Sequence, residues 1–144
     1  MSERQDGDYA VIMIRGEVDR PVGHVWAVIG GFFDLDKWLG VPCAVQAGTG
    51  GVGSVRRIGD AIVEPMIAAT GYSYSYVQTE GPMAPYCYHG TVAAEARGEG
   101  RAEIVYTLVY DQSSMDEETR ASERARLEGR FGGAVDAMKR AVLA

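Results

Sequence analysis

Residues 116–144 read DEETRASERARLEGRFGGAVDAMKRAVLA, a run that is acidic at its start, basic near its end and strong in helix formers. Within it Leu127, Phe131, Ala134, Val135, Met138 and Val142 recur at helical spacing, so one stripe of a long C-terminal helix must lie against something apolar. Gly129, Gly132 and Gly133 weaken that helix, but they would let its backbone come close to a sheet or a ligand, with a kink as one outcome. The only large apolar surface that the rest of the chain can offer is a sheet.

Upstream of the helix the chain supplies that sheet. YAVIMIRGEVD (9–19) is β-rich and alternates apolar and polar residues in its later half, as a half-buried strand does. In the next stretch Pro21 suits a helix first turn, Val22, Val25, Trp26 and Ile29 share a helical face, and Gly30 and Gly31 break it. A second short helix is expected from about Phe33 to Leu39, ended by Gly40 and Pro42. Glycines at 48–53, 59, 71 and 81 then punctuate β-type runs, and GTGGVG reads as a hairpin because it lacks the Lys-Ser/Thr ending of a phosphate loop and leads into no helix. YCYHGTVAAEA and RAEIVYTLVYD complete the set, with RGEG (97–100) as their turn. The expected fold is α+β, with about seven antiparallel strands, two short helices after strand one and a long helix at the end.

Size and charge narrow the classes of function. A chain of 144 residues with 47% hydrophobic content can build one sizeable core, so a single domain over 1–144 is expected. Twenty acidic against 14 basic residues give a net charge of −6, which repels phosphate backbones and argues against nucleic acid as a partner. No apolar run approaches the roughly 20 residues that span a bilayer, and the polar start from Met1 to Asp8 is unlike a signal peptide, so a cytoplasmic location is expected. Cys43 and Cys87 lie far apart without a CxxC or CxxH companion, which signals neither a disulfide framework nor a zinc site and leaves two free, buried thiols.

The motifs VDRPVGHVWAVI, FDLDKWLG, GVGSVRRI, PYCYHGTV and FGGAVDAMK, with Glu64 opening a strand segment, carry a resemblance that covers nearly the whole chain. It resembles the helix-grip superfamily that joins the birch pollen allergen, START lipid-transfer domains, plant abscisic-acid receptors and bacterial polyketide cyclase/dehydrase-like proteins. The resemblance implies a curved sheet wrapped round the C-terminal helix, with the short helices and neighbouring loops forming the mouth of a ligand cavity. It also implies a basic, cavity-facing residue at Arg56 and an inward-facing glutamate at Glu64. Such a scaffold carries binders, carriers, cyclases and lyases alike, so activity must be read from the pocket.

Strand alternation sorts the candidates for that pocket. Tyr72, Tyr74 and Tyr76 share one face, Tyr86, Tyr88 and Gly90 another, and Ile104, Tyr106, Leu108 and Tyr110 a third, so seven of the eight tyrosines are expected to look inward. Ligand contacts are expected from Trp38, as a lid at the mouth, and from Arg56, Ile58, Glu64, Tyr74, Tyr76, Tyr86, Tyr88, Tyr106, Phe131, Val135 and Met138. For Arg56 two readings stand level: an anchor for a ligand carboxylate, enolate or phenolate, and a structural partner of Glu64. Glu64 among apolar walls suits an acid or base, though Pro65 next to it could turn it toward solvent. His24 and His89 lie on different elements, form no triad or metal cluster, and are expected to be exposed.

The function these candidates suit is binding of a small hydrophobic or aromatic molecule, phenolic or polyketide-like, in an internal cavity. If catalytic, the site would work without a cofactor or metal, Arg56 stabilising oxyanion charge while Glu64 or Tyr76 moves a proton in a cyclisation, dehydration or other lyase step. The alternative is a non-catalytic carrier or sensor. Monomer and homodimer are both compatible with the sequence.

Overall fold

A computed structural model describes residues 8–144. Seven strands form one antiparallel sheet: β1 (Tyr9–Val18), β2 (Cys43–Ala47), β3 (Val55–Ile58), β4 (Ile62–Thr70), β5 (Ser73–Val77), β6 (His89–Ala96) and β7 (Ala102–Asp111). Their spatial order is β1-β7-β6-β5-β4-β3-β2, a meander in which β1 crosses over to pair with the last strand. Gly98 and Gly100 take positive φ in the β6–β7 turn, as the RGEG reading requires. Gly48, also at positive φ in the β2–β3 turn, sits so close to Ser54 that a Cβ would lie 2.4 Å from its Oγ.

The helix α1 (Val22–Ile29) follows β1, and the helix α2 (Glu117–Leu143) closes the chain. Asp116 caps α2, accepting from the Thr119 N–H at 2.8 Å, with Glu117 and Glu118 in the first turn and Arg140 in the last. Leu127, Ala134, Val135, Met138 and Val142 are buried and Phe131 half-buried, which places the expected stripe against the sheet. Among the described residues no helix is long and apolar enough to cross a membrane.

Several local expectations need correction. The second helix is only a 3-10 turn, Leu35–Lys37, because so short a segment ended by Gly40 at φ +72° and by Pro42 cannot repay the cost of helix nucleation. The glycines of α2 are not where helix and sheet meet: a Cβ on Gly129, Gly132 or Gly133 would touch nothing within 4 Å, and α2 runs unbroken past them, with Gly133 bordering open space instead. The close approach lies instead at Gly16 of β1, where a Cβ would stand 2.8 Å from Val135 Cγ1.

The tyrosine alternation also breaks at two places. Tyr72 belongs to the turn before β5 and is exposed, and Tyr86 ends a second 3-10 turn, Ala84–Tyr86, before β6 begins. Between Tyr86 and Tyr88 the non-glycine residue Cys87 takes φ +50°, so the two rings do not follow the period of a strand. Tyr9, at the start of β1, is exposed too. The cysteines are free, as expected, but Cys43 is only half-buried and Cys87 is exposed.

Candidate ligand-binding site

Arg56 and Glu64 stand directly opposite each other on β3 and β4, and both point into the molecule. Arg56 Nε and Nη2 donate to Glu64 Oε1 at 3.0 and 2.8 Å, while Nη1 donates to the Phe32 carbonyl at 3.0 Å and to the Tyr74 hydroxyl at 3.2 Å. Four of the five guanidinium N–H groups are thereby engaged. The guanidinium also lies over the Phe32 and Tyr76 rings, 4.3 and 4.6 Å from their centroids. Burial disfavours its charge, yet Tyr74 and Glu64 outweigh that cost and raise its pKa, so Arg56 stays a cation.

Glu64 Oε2 accepts from Gln78 Nε2 at 3.1 Å, and the other end of that amide, Oε1, takes the Met83 N–H at 2.7 Å. The Gln78 amide thus ties β4 to the loop before β6. Every hydrogen bond that Glu64 receives is one that an ionised carboxylate accepts. Pro65 does not disturb this: Met66 makes the backbone bonds to Ser54 and Gly53, and the β4 bulge comes later, between Met66 and Ala68.

Beside the ion pair lies a cluster of three phenols. The Tyr76 hydroxyl bonds the Tyr88 hydroxyl at 2.7 Å and the Tyr106 hydroxyl at 2.5 Å, joining β5, the approach to β6, and β7. Burial pushes all three phenols above the ordinary tyrosine value, Tyr76 and Tyr106 furthest, so the cluster is protonated throughout the neutral range. These hydroxyls can donate or accept a hydrogen bond but cannot serve as bases near neutrality.

Ion pair and phenols together form part of the floor of a cavity of about 520 Å³ between the sheet and α2. Glu64, Gln78, Tyr76, Tyr88 and Tyr106 supply its polar sheet side, next to Arg56, Ile58 and Ile62. Leu35, Trp38, Leu39 and Val41 form a second wall, and Pro82 and Met83 a third. Along α2 the lining runs through Arg126, Leu127, Arg130, Phe131, Ala134 and Ala137, with Phe131 set edge-on to Tyr106 at 5.0 Å. This space suits a small molecule with a flat or flexible apolar body.

No protein-family model matches this sequence, and no curated protein matches it either. Among solved structures, a Bacillus thuringiensis protein superposes with a TM-score of 0.75 at 20% identity, over 94% of this chain and 100% of its own. Truncated norcoclaurine synthase from Thalictrum flavum gives 0.74 at 20% identity, over 99% and 98%. The same enzyme in complex with dopamine and hydroxybenzaldehyde gives 0.73 at 18%, over 99% and 94%, and Ara h 8.0201 gives 0.67 at 16%, over 94% and 98%. The fold is the helix-grip fold. At these identities the likeness establishes architecture alone.

Within the helix-grip frame the candidates from sequence divide into two groups. Trp38, Arg56, Ile58, Glu64, Tyr76, Tyr88, Tyr106 and Phe131 all line the one cavity. Tyr74, Tyr86, Val135 and Met138 do not. Tyr74 lies beneath Arg56 against Phe32 and Trp26, Tyr86 packs at the core's edge, and Val135 and Met138 are spent on helix–sheet packing. His24 is exposed, with Nε2 3.2 Å from the Val142 carbonyl, whereas His89 is half-buried beside the Cys87 carbonyl rather than exposed. Among the described residues no group of three His, Cys, Asp or Glu side chains could hold a metal ion.

Sequence reasoning missed Gln78, Met83, Arg126 and Arg130. The arginines carried a signal in their spacing: 126, 130, 134 and 137 form a stripe at helical intervals beside the apolar one. Gln78 follows Tyr74 and Tyr76 at period two and could have been placed inside by the same alternation.

Proposed function

We propose that this protein binds a small, largely apolar or aromatic molecule in the cavity between its sheet and α2. The observation that carries the reading is the cavity's composition: about 520 Å³ of space with apolar walls, and a floor on which Tyr76, Tyr88 and Tyr106 meet the Arg56–Glu64 pair. A solid core would have filled that space. The reported complex of norcoclaurine synthase with dopamine and hydroxybenzaldehyde supports phenolic rings as candidate occupants of such a scaffold.

The geometry favours carriage or sensing over base catalysis, because Glu64 is held by two Arg56 bonds and one from Gln78. A second reading, acid-assisted cyclisation, dehydration or another lyase step, is favoured by the phenol cluster, whose protonated hydroxyls line the cavity beside a fixed cation. In that reading Tyr76 or its partners donate a proton or hydrogen bond to a carbonyl, with Arg56 beneath them stabilising developing negative charge.

The test is a panel of phenolic, polyketide-like and fatty compounds, followed by tryptophan fluorescence and by mass spectrometry of the same samples. Saturable quenching without a new mass is expected for a carrier or sensor; quenching with conversion would make the protein an enzyme. Absence of binding across the panel would overturn the cavity reading.

A further inference from the structure

The charge lining the cavity is one-sided. Among the described residues four charged ones border it, Arg56, Glu64, Arg126 and Arg130, so three cations face one carboxylate in a chain whose net charge is −6. Arg56 is neutralised by Glu64. Arg126 is held by Glu123, Nε to Oε1 and Nη2 to Oε2, both at 2.8 Å. Arg130, one turn further along α2, has no ion pair or hydrogen bond among the described residues. Arg130 is exposed yet borders the cavity, so it sits where the cavity opens to solvent, a cation with no partner among the described residues.

A second, independent feature points the same way. Trp38 is only 8% exposed, and its Nε1–H is one of two buried side-chain polar atoms without a partner among the described residues. The other, the Tyr110 hydroxyl, belongs to a residue outside the cavity lining, whereas Trp38 is part of it. An indole N–H can only donate, and leaving it buried and unpaired is costly, so its natural complement is an acceptor on the occupant of the cavity.

We propose that the ligand is an acid: an apolar or aromatic body carrying a carboxylate that Arg130 receives at the mouth, with an acceptor oxygen for Trp38 Nε1–H. This rests on the cavity reading and narrows it to one chemical class. A neutral hydrocarbon would leave both groups unanswered, and an amine would bring its charge against Arg130, the lining arginine without a carboxylate partner among the described residues. A guanidinium suits a carboxylate because its fork of donors can engage both oxygens. The shared chemistry covers aromatic acids and fatty acids, which differ in the body and not in the head group.

Isothermal titration calorimetry of the full chain with 2-naphthoate, 2-naphthylmethanol and 2-naphthylmethylamine, and with decanoate against decanol, separates these possibilities. At least one acid is expected to bind about five- to tenfold tighter than its matched alcohol, with the amine weakest. Arg130→Gln should erase most of that advantage, weakening the acid several-fold more than the alcohol, and raising salt should weaken the acid more than the alcohol. Trp38→Phe, which keeps an aromatic ring, should lower acid affinity about threefold. Alcohols binding as tightly as acids, or an Arg130→Gln variant with unchanged acid affinity, would overturn the proposal while the cavity reading stands. Failure of every probe, neutral and charged, would remove the cavity reading beneath it.

Discussion

Tyr76 and Gly90 face each other across the β5–β6 ladder, and the Tyr76 ring occupies the space where a side chain on residue 90 would stand. A Cβ there would lie 2.3 Å from Tyr76 Cζ and 2.4 Å from its hydroxyl oxygen. The absence of a side chain on β6 is therefore what lets the Tyr76 hydroxyl reach both Tyr88 and Tyr106. Gly90→Ala should push the ring aside and cost about 1–3 kcal/mol by overpacking. Urea unfolding measures the cost, and a change in the near-ultraviolet circular dichroism of the folded protein would report the displaced ring. An unchanged spectrum and midpoint would mean that the ring has room to move.

A similar constraint fixes how α2 lies on the sheet. Gly16 of β1 leaves room for Val135, whose Cγ1 would be 2.8 Å from an added Cβ, with Lys139 Cδ at 3.0 Å. Lys139 is long and can swing away, whereas Val135 is short and buried, so the helix itself must yield. Gly16→Ala should destabilise the protein by about 1–3 kcal/mol, and Val135→Ala in the same chain should recover part of the loss by vacating the contested space. Simple additivity of the two losses, measured by denaturant unfolding, would show that the contact does not decide the helix's position.

How far the sequence reveals the site depends on regularity. Along β3 and β7 the inward positions keep period two, so Arg56, Tyr106 and Tyr110 are buried as the alternation requires, although Val105 between two of the inward positions is buried as well. It misplaces Tyr72 and Tyr86 because each sits outside a strand, one in a turn and one in a 3-10 turn followed by the left-handed Cys87. Helical spacing identifies the packed stripe of α2, but Val135 and Met138 serve the sheet while the neighbouring Arg126 and Arg130 border the cavity. Which edge of an amphipathic helix meets an open space is decided by how the sheet seats it, at Gly16, and a one-dimensional pattern does not contain that.

The buried phenols make stability depend on alkaline pH. Burial raises the pKa of Tyr74, Tyr76, Tyr88 and Tyr106 in the folded protein, while in the unfolded chain they ionise near the ordinary value of about 10. The unfolded state then binds fewer protons than the folded state above that pH. Stability is therefore fully present below about pH 10 and falls as pH rises toward the folded values, by about 1.4 kcal/mol per pH unit for each phenol ionised only in the unfolded chain. Phenolate absorbance near 295 nm should show a cooperative step coincident with loss of far-ultraviolet circular dichroism. Gradual ionisation of all eight tyrosines with the fold intact would contradict the burial of the cluster.

The Arg56–Glu64 pair offers the sharpest separation of structural from catalytic roles. Glu64→Leu leaves a buried guanidinium without its carboxylate, for which about 3–5 kcal/mol of destabilisation is expected. Arg56→Met leaves the carboxylate uncompensated and also orphans the Phe32 carbonyl, so it should cost at least as much. Combining them removes both charges, and the double variant should be markedly more stable than the sum of the single losses predicts, giving a coupling of several kcal/mol in a double-mutant cycle. The recovery should stop short of the parent, because Phe32 and Tyr74 still lack their donor. If the pair is only structural, the double variant keeps its capacity for a neutral naphthalene ligand despite its lower stability. If instead turnover is found and vanishes in the double variant while that ligand still binds, one or both of these residues act on the substrate and the carrier reading gives way to the catalytic one.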